Sequence, residues 1–109
     1  MPFTIKRNDT SPILQTVLSD ANGVAIDLTA TTVKFYMKKY KATTPKINAT
    51  AAIVDEDAGI VRYLWQTGDT DTAGSYQAEF QITYDDGAVE TFPNADFIQV
   101  DIINDLAWG

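Results

Sequence analysis

From Ser75 to Tyr84 the chain alternates without a break. Tyr76, Ala78, Phe80, Ile82 and Tyr84 fall on one side, and Ser75, Gln77, Glu79, Gln81 and Thr83 on the other. A period of two over ten residues specifies a strand with one buried face. Shorter runs repeat the pattern. Across Val33–Tyr40, Val33, Phe35 and Met37 alternate with Lys34, Tyr36 and Lys38. Across Ile60–Trp65, Val61, Tyr63 and Trp65 point inward and Arg62 outward. Across Phe97–Ile103, Ile98, Val100 and Ile102 alternate with Gln99 and Asp101. Phe3–Lys6, Ile13–Ser19, Val24–Leu28, Ala49–Val54 and Ala88–Phe92 read as further short strands, with Val24, Ile26 and Leu28 on one face.

Turn signals separate these runs at intervals of about ten residues. Asp20-Ala-Asn22-Gly23 supplies the positive φ of a tight turn. Lys41–Lys46 reads as a loop, Asp55–Gly59 and Asp85-Asp86-Gly87 as hairpin turns, and Pro93 confines the Ala88–Phe92 run to a sheet edge or strand end. No stretch has helical periodicity over twelve or more residues. The pattern predicts an all-β antiparallel sandwich or barrel of about seven strands over residues 1–104, followed by a short tail over 105–109.

Composition supports this and narrows the chemistry. At 109 residues and 45% hydrophobic, the chain is one domain with enough apolar side chains for a core. No apolar run approaches the roughly 20 residues that cross a bilayer as a helix. The start, MPFTIKRND, lacks the apolar middle of a signal peptide, which predicts use without Sec export. The sequons at Asn8 and Asn48 are then chance matches. There is no Cys and no His, so disulfides, the usual zinc sites, Cys nucleophiles and Ser-His-Asp triads are all excluded. No enzymatic activity and no cofactor are expected.

Net charge is −7, which argues against a nucleic-acid partner. Residues 1–54 carry seven bases and three acids, whereas residues 55–109 carry one base, Arg62, and twelve acids. A sandwich interleaves the two halves, so cross-strand pairing and solubility account for the imbalance unless opposite patches dock copies or partners. The strand bearing Lys34, Tyr36, Lys38 and Tyr40, with Lys41 beside it, presents a basic and aromatic face suited to an acidic protein surface or an anionic sugar. Leu106 and Trp108 lie beyond the last strand, and Trp is favoured at interfaces. These six residues, Lys34, Tyr36, Lys38, Tyr40, Leu106 and Trp108, are the candidate partner contacts.

One stretch spells a metal site and fails as one. Counted from Asp69, Asp71 and Gly74 stand at positions 3 and 6 of a calcium loop. Position 5 is Ala73, however, and position 12, where a bidentate Glu belongs, is Phe80. Thr72-Ala-Gly-Ser-Tyr76 fits better as a tyrosine corner, in which a Tyr hydroxyl bonds back across the turn before its strand. Asp69 and Asp71 would then be turn acids that accept from nearby backbone N–H groups.

The order of these features resembles the N-terminal domain family of bacteriophage baseplate upper proteins. The matching residues are Asp9 before the second strand and the Asp20–Gly23 turn. Asp27, Leu28, Thr29, Val33 and Phe35 follow in order, then Gly74, Tyr76, Glu79 and Phe80, and the turn Asp86-Gly87. The resemblance runs from about residue 3 to residue 103. It implies an immunoglobulin-like sandwich that acts as a structural attachment module in a phage virion, docking onto baseplate or tail proteins in several copies. No catalytic residues come with it. The absence of Cys and of a signal fits assembly in a bacterial cytoplasm, and no membrane partner is expected. The alternatives are a head, neck or capsid decoration protein, or a module that binds host glycan.

Overall fold

The computed structural model describes residues 2–94 and 96–106. Within them the chain forms nine strands: β1 (Phe3–Lys6), β2 (Leu14–Val17), β3 (Thr32–Lys39), β4 (Ile47–Thr50), β5 (Ala52–Asp55), β6 (Ile60–Tyr63), β7 (Gly74–Thr83), β8 (Val89–Phe92) and β9 (Ile98–Ile103). They make two sheets. The larger runs β1-β9-β7-β3-β4, with β8 also on β7, and the smaller runs β2-β6-β5. The all-β sandwich is as the alternation predicts.

The ten-residue β7 is the axis of the large sheet. β3 pairs antiparallel along one edge, from Thr32 opposite Thr83 to Lys39 opposite Tyr76. Two strands share the other edge end to end: β9 takes Gly74–Ala78 and β8 takes Phe80–Thr83. Pro93 falls just after β8, where its missing N–H removes no ladder bond. β1 pairs parallel to β9, so one edge of an otherwise antiparallel sheet runs the other way.

Two segments differ from the sequence expectation. Ala49–Val54 is not one strand. The chain crosses between sheets at the buried Ala51, whose N–H donates to the Val33 carbonyl, so β4 belongs to the large sheet and β5 to the small one. Val24–Leu28 is not a strand either; it keeps one bridge, Ser19 to Ala25. Its N–H groups at Ile26 and Leu28 donate to different segments, at the Leu18 and Glu56 carbonyls, which prevents a ladder. Leu28 is fully buried, but Val24 is 61% exposed.

The core lies between the sheets and is aromatic at its centre. The Phe35 and Tyr63 rings stack at 4.4 Å, and Trp65 meets both edge-on. Phe80 packs on Phe35 at 5.1 Å. Such pairs add roughly 0.5–1.5 kcal/mol each beyond the area they bury. The buried polar tips find partners: Trp65 Nε1 donates to the Pro12 carbonyl and the Tyr63 hydroxyl to Asp69 Oδ2.

The turn before β7 is a tyrosine corner. Tyr76, 1% exposed, donates its hydroxyl to the Thr72 carbonyl at 2.6 Å. The acceptor is backbone, so the side chain at position 72 matters little. Asp69 accepts from the Gln66 N–H as well as from Tyr63, which is the turn role expected of it. Asp71 behaves differently: it accepts from Lys46 Nζ at 2.6 Å and from the Thr72 hydroxyl, and these bonds hold its carboxyl below the usual range. The buried Thr70 ties the corner to the β1–β2 connection, donating to the Asp9 carbonyl and accepting from the Asn8 N–H. Tyr76→Phe should therefore lower stability by about 1–2 kcal/mol in urea titration. An unchanged midpoint would show that the hydroxyl contributes nothing to the corner.

Candidate binding face

β3 positions the predicted contact residues because its alternation places every even-numbered side chain on the outer face of the large sheet. Lys34, Tyr36 and Lys38 stand there in line. Tyr40 continues it: its N–H still donates to the Ser75 carbonyl, and its ring is 58% exposed. The next residue, Lys41, takes φ 67° and turns the chain away, leaving its ammonium 5.5 Å from the Tyr40 ring centre. Four of the six predicted residues are thus one continuous row.

Register decides what stands beside that row. Gln81 lies opposite Lys34, Glu79 opposite Tyr36 and Gln77 opposite Lys38. On the other side Asn48 lies opposite Tyr36, and its Oδ1 accepts from Lys34 Nζ at 3.3 Å. The face is therefore mixed rather than basic: Glu79 stands between two lysines, and Asp101 lies further along it beside Ser75. This is where the basic and acidic halves of the chain interleave. Among the described residues the ion pair formed is elsewhere, between Lys46 and Asp71.

A shallow groove of about 290 Å³ crosses this face, lined by Tyr36, Lys38, Pro45, Gln77, Glu79 and Phe97. Phe97, 46% exposed, was not among the predicted contacts. Its signal was present: it shares parity with the outward Gln99 and Asp101. Leu106 is fully exposed beyond β9. β9 ends beside Gly74, so the tail leaves the sheet at the end where Tyr40 stands. Trp108 lies outside the described residues.

The strongly perturbed ionisable groups lie away from this face. Burial, and then the bond to Asp69, pushes the Tyr63 phenol far up. Burial, and then Glu90, pushes the Tyr84 phenol up to about 12. Tyr63 is 3% exposed and stacked in the core, so its pairing with Asp69 reads as a structural clamp. The acids at hairpin tips serve their turns: Asp55 accepts from the Asp57 and Ala58 N–H groups, and Asp86 from that of Ala88. An open sheet face of this kind offers aromatic and charged contacts to a macromolecular surface.

Among solved structures nine chains match this one. One is the crystal structure of CopC from Methylosinus trichosporium OB3b, with a TM-score of 0.52 and 8% identity, over 94% of this chain and 84% of that one. At that identity the likeness shows the fold alone. No curated protein sequence matches. The BppU N-terminal domain model matches residues 4–105. The chain belongs to the BppU N-terminal domain family, a domain family of phage baseplate upper proteins.

Proposed function

We propose that this domain is a non-enzymatic attachment module of a phage virion, present in several copies and docked onto baseplate or tail proteins through the outer face of its large sheet. The observation that carries this reading is the family match over nearly the whole chain. The face supports it: Tyr36, Phe97 and Tyr40 offer aromatic anchors, and Lys34, Lys38 and Glu79 offer charges of both signs around them. The exposed Leu106 extends the face at the Tyr40 end.

The test is incorporation into particles. Purified virions should contain the chain in symmetric copy number. Tyr36→Ala combined with Lys38→Glu should lower incorporation about tenfold, with the melting temperature unchanged, as expected for loss of an interface anchor. Normal incorporation of that double variant would remove this face as the docking surface.

The groove favours one other reading. An aromatic ring beside Gln77 and Glu79 is a surface on which a sugar can stack and hydrogen-bond. Binding to host glycan on an array, abolished by Tyr36→Ala, would support it.

A further inference from the structure

The small sheet also has an outer face, and its chemistry is different. Ile13, just before β2, faces outward with Gln15 and Val17, and β6 turns Ile60, Arg62 and, just past its end, Leu64 outward. β5 adds Ala52, Val54 and, opposite Ile60 across a bulge, Asp55, whose carboxylate accepts from the turn N–H groups of Asp57 and Ala58. Ile13, Val17, Val54 and Leu64 are 37–51% exposed, with Ile13 and Leu64 toward one end of the three adjacent strands and Val17 and Val54 toward the other. At the centre of the face Gln15 and Ala52 flank Arg62.

Among the described residues Arg62 has no ion-pair partner. It donates no side-chain hydrogen bond among them either, and its Nε is shielded from solvent without an acceptor. A guanidinium held half out of water among aliphatic side chains has lost hydration without replacing it. It is also the single base among residues 55–109. Apolar side chains around one arginine match the core of a protein interface, where Arg is enriched and other charges are depleted.

We propose that this face is a second docking surface, and that its occupant is a different virion protein presenting a carboxylate within an apolar patch. A carboxylate seated on Arg62 can accept two parallel N–H bonds and supply the missing acceptor. A second copy of this chain fits less well. Two copies placed face to face about a two-fold axis bring their unpaired guanidinium groups together, and each carries a net charge of −7. With the large sheet's outer face on the opposite side of the sandwich, the domain would join two partners. The proposal rests on the virion reading given above, but not on which surface of the large sheet is used.

The experiment is an assembly assay with a genetic arm, using phage that carry Arg62→Glu, Arg62→Met or Leu64→Asp. Incorporation should fall about tenfold or more for Arg62→Glu. It should fall for Leu64→Asp also, with unfolding transitions close to that of the original chain. Arg62→Met separates docking from a structural role. Removing an unpartnered guanidinium should leave the melting temperature of the free protein unchanged or raised, while incorporation still falls. Selected suppressors of Arg62→Glu should replace an Asp or Glu by Lys or Arg in another virion protein.

Incorporation of Arg62→Glu within twofold of normal would overturn the proposal. So would a melting temperature several degrees lower for Arg62→Met, or suppressors confined to this chain, which would indicate a second copy. Absence of the unaltered chain from particles is a distinct result: it would overturn the virion reading, and this proposal with it.

Discussion

Phe80→Ala should destabilise the domain by about 3–5 kcal/mol, a large part of the 5–15 kcal/mol that holds a typical domain together. Phe80 is fully buried at the middle of β7, paired with Phe35 on β3 and Phe92 on β8, both also buried. Its ring packs against that of Phe35 at 5.1 Å, and Phe35 in turn stacks on Tyr63. Truncation therefore loses the transfer energy of the ring and opens a cavity bounded by strands that cannot collapse, because their ladders hold them apart. Urea unfolding followed by tryptophan fluorescence measures this, since Trp65 sits in the same cluster. Phe80→Leu should retain most of the stability. A loss below about 1 kcal/mol for Phe80→Ala would mean that the core is not organised around this ring.

Gly59→Ala should cost about 2–4 kcal/mol, although only one methyl group is added. Two effects combine. Gly59 has φ +67°, where a Cβ is strained by roughly 1–2 kcal/mol. A Cβ there would also stand 2.8 Å from the Leu18 carbonyl oxygen and 2.9 Å from that of Ile26. Both obstacles are backbone, and they are held: the Leu18 N–H donates to the Gly59 carbonyl, and the Ile26 N–H donates to that of Leu18. Gly23 supplies the control. Its φ is +81°, but nothing lies within 4 Å of its would-be Cβ, so Gly23→Ala should show the conformational part alone. Equal losses at the two positions, measured by denaturant midpoint, would show that the close approach at Gly59 carries no energy.

These two residues also show why parts of the fold could be read from the sequence and parts could not. Phe80 declares itself, because its place in a ten-residue alternation fixes which face it joins. The same alternation explains why the calcium spelling around Asp69 misleads: the residue at the position of the required Glu is a core side chain. Gly59 marks a turn in the sequence, but nothing local announces the two carbonyls above it. They arrive from Leu18 and Ile26, about forty and thirty residues earlier in the chain.

The two misread segments fail for the same reason. Val24–Leu28 has strand-like spacing, but a strand needs one continuous neighbour, and here Ile26 and Leu28 bond to different segments. Ala49–Val54 looks continuous because the alternation says nothing about which sheet each half joins. Tertiary packing divides it at Ala51. The candidate binding face was half legible. Lys34, Tyr36, Lys38 and Tyr40 form a row by parity within one strand. That Glu79 stands beside Tyr36, and that Phe97 closes the groove, depends on register between strands far apart in the chain.

By itself the sequence determined the all-β class, the inward and outward sides of each long strand, the tyrosine corner and the family. The first three rest on side-chain spacing within short segments, which backbone geometry converts directly into faces; the family rests on the order of motifs along nearly the whole chain. The tertiary structure decided which outward side chains meet and which remain uncovered. It set Glu79 among lysines on one side of the sandwich and, on the other, left Arg62 without an ion-pair partner among the described residues, on the face that exposes Ile13, Val17, Val54 and Leu64. Those outcomes depend on strand order and register, which are selected by how the whole core packs rather than by any one stretch of residues.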